Sequence, residues 1–279
     1  MRPISKIATA AGLALALGVL PVHGQGAADG AEGASGDYPV LRLLTTDGPI
    51  EVELFTDAAP EATSRLLSLA DAGDPGFSLD FVQPYGRVTS TEIPAFAADP
   101  VPMEIDAVAL GLDRQRIADA GQAMNVVQDE LLAFRPKVRG TFPTETFRRW
   151  IETWRANRTS DFLVGLSRQE LFEGFGHVYR EGLASRPVER GSVVLLPDTP
   201  NQAQPKLVFS LADQPMLTGR WMVIGRVIQG LERLQALSAQ PLAFEHDKAG
   251  PLARPVTVRS IESRDPLSVP GSTAPLNAD

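Results

Sequence analysis

Strict alternation of apolar and polar positions begins at Ile50. Ile50, Val52 and Leu54 take one side while Glu51 and Glu53 take the other, the signature of a β-strand with one dry face and one wet face. An apolar run at residues 40–44 lies upstream, and Asp47-Gly48 between the two suits the primed turns that close β-hairpins, so residues 40–55 predict a hairpin. The pattern then turns helical. Asp57 and Ala59-Pro60-Glu61 set a proline in a first turn and acids near the positive dipole end, predicting a helix that runs to about Ala72 and stops at Gly73. Farther on, residues 193–196 and 207–211 are apolar and strand-length, separated by a Pro-, Asn- and Gln-rich stretch at 197–206 that reads as a loop without continuous strand. Thr218-Gly219 marks a turn before a strand at 221–227. Gly230 precedes a short periodic helix, and alternation returns at 256–261.

The middle of the chain reads differently. Ile117, Ala120, Met124, Val127 and Leu131 recur at helical spacing, as do Phe147, Trp150, Ile151 and Trp154. Thr144 and Pro143 stand where a helix would open, and Ser167 with Glu170 has the capping-box spacing ahead of Leu171, Phe172 and Phe175. Apolar stripes at this spacing are expected to be the core of a helical segment. Left exposed, they would instead be a surface for capturing unfolded chains.

Composition narrows the classes. With 279 residues, 43% hydrophobic and 22% charged, the chain has the make-up of a globular protein with a full core. Residues 1–24 carry Arg2 and Lys6, an apolar run at 7–20, and Val22-His23-Gly24, which reads as a secretory signal peptide; the run is short for a membrane span, so no stable membrane insertion is expected after processing. Residues 25–37 form a Gly/Ala/acid-rich flexible linker and 265–279 a Pro/Ser-rich disordered tail. The reading is an exported protein of a bacterial periplasm or the extracellular space. A formal charge of −8 argues against nucleic acid as a partner. Zero cysteines remove thiol chemistry and disulfides, and His177 and His246 alone survive processing, so neither a metal nor a cofactor is expected.

Between these elements runs an ordered set: Gly191, Pro200-Asn201, Phe209, Asp213, Leu217, Gly219, Gly225-Arg226-Val227 and Gly230-Leu231. Upstream stand TTDGPIEVELFTDAAPEATSRLLSLADAG and Tyr85-Gly86-Arg87-Val88, then Pro94-Ala95-Phe96. The combination resembles the cyclophilin-type peptidyl-prolyl cis–trans isomerases over residues 38–96 and 190–264, with residues 97–189 as a helical insertion. The resemblance implies a mainly β fold with α: a closed antiparallel eight-stranded β-barrel with two capping helices, plus an inserted α-helical subdomain. It also implies an isomerase that assists the folding of proline-containing polypeptides. The alternative is a catalytically weak or inactive binding or scaffold protein whose helical insert carries the partner site.

Isomerisation needs no covalent chemistry. The Xaa-Pro amide is held planar by resonance, with a barrier of about 18–20 kcal/mol. A fixed donor aimed at the prolyl nitrogen favours the twisted amide, where that nitrogen regains its lone pair. The resemblance places Arg87 in this role and gives substrate-binding positions to Phe96, Lys206, Val208, Met216, Leu217 and Trp221. Several depart from the family pattern. Lys206 replaces a glutamine, Val208 the aromatic of the proline pocket, Met216 a tryptophan and Trp221 a histidine, while Leu196-Pro197 replaces a small-Asn pair. Lys206 beside Arg87 would repel it or draw acidic substrates.

Overall fold

The computed structural model describes residues 38–70, 75–94, 101–134, 142–244 and 249–265. The signal peptide, the linker, Phe96 and residues 266–279 of the tail lie outside the described residues. The expected hairpin forms first: β1 (Val40–Thr45) returns as β2 (Gly48–Leu54), with Thr45 opposite Gly48. Helix α1 (Pro60–Ser68) follows, then β3 (Ser78–Gln83), β4 (Arg87–Ser90) and the short β5 (Val101–Pro102). The middle segment contributes α2 (Ala120–Val126), continued by a π-turn over Val127–Leu131, then α3 (Glu145–Asn157) and α4 (Arg168–Gly174). Strands β6 (Ser192–Thr199), β7 (Gln202–Ser210) and β8 (Val223–Gln229), helix α5 (Leu231–Ser238) and the long β9 (Gly250–Arg264) complete the chain order.

The pairing order is β4-β3-β9-β1-β2-β8-β6-β7, and β4 pairs again with β7. Among the described residues, eight antiparallel strands therefore close on themselves, with β5 added beside the far end of β7. Closure removes the sheet edges that would otherwise invite pairing with other chains. β9 turns one corner alone: its first half pairs with β3 and its second half with β1. Inward positions of every strand meet in one core, including Leu43, Val52, Leu79, Val88, Val193, Phe209, Ile224 and Val258. Helices α1 and α5 cap that core through Ala62 and Leu66, and through Leu234 and Leu237. At Gly225 an added Cβ would stand 2.4 Å from the Glu53 carbonyl oxygen, so the close approach of β8 to β2 requires glycine there.

The helical segment has a core of its own. Phe147, Trp150 and Ile151 are buried with Phe172 and Phe175, and Phe147 meets the Phe175 ring edge-on at 5.2 Å. The aromatic stripe is thus interior, which removes the expectation of an exposed surface for unfolded chains. Local signals explain the helix starts. Thr144 Oγ1 accepts the Phe147 N–H to open α3, and Ser167 with Glu170 forms a full capping box on α4. α2 opens on Asp119 rather than continuing from Ile117; Ala120 is exposed and the buried stripe runs through Ala123, Val127 and Leu131. Glu104, buried between segment and barrel, accepts the N–H groups of Glu61 and Ala62 at 3.1 and 3.0 Å, a carboxylate on the positive end of α1.

Three expectations fail on long-range contacts. Residues 197–206 are mostly strand, since β6 and β7 extend to a turn at Pro200-Asn201 and the prolines fall within irregular register between Leu195 and Thr199 or beside it. Glu53 does not face water: it is fully buried and takes the Arg226 guanidinium Nε at 2.9 Å. The last strand is far longer than 256–261 because it serves two neighbours.

His177 sits where the segment meets the barrel, near the Phe172 ring and stacked at 6.3 Å on Tyr179. Asn201 locks this junction, donating to the Gly176 carbonyl at 2.8 Å and accepting the Val178 N–H at 2.8 Å. Burial, and then the charge of Arg220, push the His177 imidazole down to about 4. Between an unfolded value near 6.5 and that folded value, only the unfolded chain takes up the proton. Stability present above pH 6.5 is therefore lost as pH falls toward 4, on the order of 3 kcal/mol, and levels off below. Urea unfolding at a series of pH values should show this slope in wild type and a flatter one in His177→Gln. Equal slopes would contradict it.

Candidate functional site

Outward positions of five strands align into one row across the barrel. Phe81 on β3 pairs with Thr89 on β4, Thr89 with Val208 on β7, Val208 with Val194 on β6, and Val194 with Val223 on β8. Alternation sets this face. Leu207 and Phe209 enter the barrel core while Val208 joins a separate outer cluster with Phe55, Ala58, Val188, Val194 and Val223. Leu217 and Trp221 pack against the same cluster.

Arg87 stands at the start of β4, one outward position beyond Thr89 and opposite Ser210. The three-residue connection Pro84–Gly86 holds Tyr85 and Gly86 both at positive φ, and Gln214 donates its side-chain N–H to the Tyr85 carbonyl at 2.7 Å. Arg87 Nε donates to the Pro84 carbonyl at 3.0 Å, and the guanidinium lies over the Trp221 ring, 5.1 Å from its centroid. Burial draws the guanidinium below the ordinary arginine range, yet arginine stays protonated at any working pH. Among the described residues no carboxylate pairs with it. The side chain is thus anchored at Nε and on an indole face, and its terminal N–H groups make no hydrogen bond among the described residues.

The other sequence-predicted positions divide. Trp221 is half-buried beneath Arg87, Leu217 is half-buried in the 3-10 turn Pro215–Leu217, and Met216 in that turn is 53% exposed. Lys206 is not beside Arg87. It lies four residues before Ser210 on β7, about 13 Å along the strand, and its charge acts instead on Asp80, whose carboxyl is raised by burial and lowered by Lys206. Val208 is 0% exposed, so it forms buried floor rather than an open pocket wall. Pro197 falls where the β6–β7 register shifts.

What covers Val208 is a stretch that the sequence did not single out. Residues 183–189 form neither helix nor strand and link the helical segment to β6. Val188, 2% exposed, belongs to the outer cluster; its N–H donates to Thr218 Oγ1 at 3.1 Å and its carbonyl accepts the Gln214 N–H at 2.8 Å. Arg186 lies 4.0 Å over the Phe55 ring and donates to the Tyr38 hydroxyl at 2.9 Å, which in turn donates to Asp57 at 2.6 Å. The only local hint was a basic Arg-Pro-Val just ahead of Gly191. A cleft of about 590 Å³, lined by Asp47, Gln240, Pro241 and Arg254 among others, contains none of these residues. Among the described residues no helix is long and apolar enough to cross a membrane, and no group of three or more His, Asp or Glu side chains is placed to hold a metal ion.

No family model and no curated protein matches this chain. Among solved structures, it is similar to a cyclophilin-type peptidyl-prolyl cis-trans isomerase of Cryptosporidium parvum crystallised with the dipeptide Ala-Pro, with 13% identity, a TM-score of 0.42, and coverage of 80% of this chain and 97% of that one. A second structure of that isomerase gives 12% identity and a TM-score of 0.44, covering 81% of this chain and 98% of the other. A cyclophilin from Hirschia baltica gives 14% and 0.42, covering 82% of this chain and 75% of the other. At these values the assignment of a family is left to the residues themselves.

Proposed function

We propose that this chain is an exported, cyclophilin-like peptidyl-prolyl cis–trans isomerase, with Arg87 as its electrostatic catalyst. The observation that carries the reading is the Arg87 guanidinium: half-buried, pinned by Pro84 and Trp221, and without a carboxylate partner among the described residues. A cation so fixed is paid for in folding, so it need not reorganise when a prolyl nitrogen regains its lone pair. Desolvation strengthens its field at that point. Leu217 packs on the same outer cluster as Trp221, Met216 in the same turn is exposed, and the acidic chain carries no general attraction for anionic partners. The leader read in residues 1–24 fits work on newly exported chains in a periplasm or outside the cell.

A second reading, binding of prolyl segments without turnover, is favoured by the burial of Val208. Exchange NMR on a short Xaa-Pro peptide separates the two. Isomerisation predicts faster cis–trans exchange with catalytic amounts of protein. Peptide binding with no acceleration would leave a binding module and sink the enzyme.

A further inference from the structure

The covered outer face can be read as an occupied site. Its occupant belongs to no helix or strand, and a single residue of it both donates to and accepts from the opposing loop: the Val188 N–H to Thr218 Oγ1 and the Val188 carbonyl from Gln214 N–H. That is how a bound peptide strand is held. Val188 sends its side chain into the cluster with Val194, Val208 and Val223, two residues after Arg186 places its cation over Phe55 and, 5.5 Å away, Tyr38. Pro187 between them remains exposed. Asp57 completes the cation's surroundings through the Tyr38 hydroxyl.

The fit of this occupant is incomplete. Thr89 Oγ1 in the row and Arg186 Nε are buried without hydrogen-bond partners among the described residues. Such atoms are normally satisfied in a final packed state. A cleft of about 320 Å³ borders the other side of the segment, lined by Pro187, Pro215, Thr218, Leu110 and Leu112 among others, so the segment is not packed on all sides.

We infer that the outer face of β4, β7, β6 and β8 is a peptide groove filled in cis by Arg186–Glu189, and that when this strap lifts it takes in trans an extended segment with a basic residue two positions before a β-branched aliphatic one. The inference rests on the reading that this face binds prolyl segments, and it adds the class of segment and the device that guards the groove. The aromatic pair Tyr38 and Phe55 with Asp57 reads the basic residue; the valine floor reads the aliphatic one. The strap competes with every ligand, lowering apparent affinity by the fraction of molecules in which it is closed.

The chain has no cysteine, so Val188→Cys supplies a single thiol. Its reaction with a thiol reagent under native conditions is compared with Val193→Cys, whose side chain faces the barrel core. A separately opening strap predicts labelling of Val188→Cys about tenfold or more faster than the core control, and faster still when Arg186→Ala is added. A synthetic peptide with the sequence of residues 184–190, ASRPVER, should speed labelling of Val188→Cys about threefold at millimolar concentration, and ASEPVER should not. Equal labelling of the two thiols, or equal effects of the two peptides, would overturn the inference. Labelling reports on the strap whether or not Arg87 turns over a prolyl bond. A peptide-responsive Val188→Cys with no catalysed exchange would therefore sink only the isomerase, whereas catalysed exchange with an unresponsive thiol would sink only the groove.

Discussion

Replacing Arg226 with leucine is expected to cost about 3 kcal/mol and to lower the thermal midpoint by about 10 °C. Glu53 is fully buried on β2, opposite Arg226 on β8, and its carboxylate receives the guanidinium Nε at 2.9 Å. Removing one member of such a pair takes a close counter-charge from the buried other, which is why the penalty exceeds the worth of the pair itself. The Arg226 side chain is 31% exposed, so water reaches part of the site and the loss lies at the low end of the range for buried pairs. The double variant Glu53→Leu/Arg226→Leu should recover most of the stability, because both members of the buried pair are then removed together. Thermal unfolding followed by circular dichroism checks both. A double variant no more stable than Arg226→Leu alone would show that the cost comes from packing and not from the buried carboxylate's loss of Arg226.

Arg87→Ala is expected to reduce catalysed prolyl exchange about a hundredfold, the usual consequence of deleting one preorganised donor. Lysine should not rescue it. An ammonium lacks the fork that lets Nε hold the Pro84 carbonyl while the terminal N–H groups stay available, and it stacks less well on the Trp221 ring. Stability should change little, since the guanidinium makes one hydrogen bond at a half-exposed strand end. A variant that retains wild-type exchange, with its fold intact, would remove Arg87 from the chemistry.

These expectations rest on features that were unequally legible in the sequence. The β1–β2 hairpin could be read directly, because Ile50, Val52 and Leu54 alternate with acids and Asp47-Gly48 supplies the turn. Gly225 was legible as a signature residue, and its cause emerged only with β2: the Glu53 carbonyl leaves no room for a Cβ. The hidden face of Glu53 was not legible, since its partner lies 173 residues away. Pro197 made 197–206 look like a loop, although a strand tolerates proline where its register is irregular. For the site, alternation gave the outward direction of Val208, but nothing local announced the strap. Its anchors at Gln214 and Thr218 lie far along the chain and belong to a turn whose shape depends on them. The meeting of Arg87 with Trp221 was carried by the family resemblance alone, because neither residue's neighbours set the distance between them.

The chain carries three tryptophans, and their placement makes one measurement decisive. Trp221 lies under Arg87, while Trp150 and Trp154 lie in the helical segment, Trp150 in its core. Indole N–H resonances of the mature protein, recorded while a short Xaa-Pro peptide is added, read both regions at once. The outer-face reading predicts a concentration-dependent shift at Trp221 that is weakened in Arg87→Ala, with Trp150 and Trp154 unmoved. Shifts at the two segment tryptophans with Trp221 silent would contradict it and move the partner site to the helical insertion.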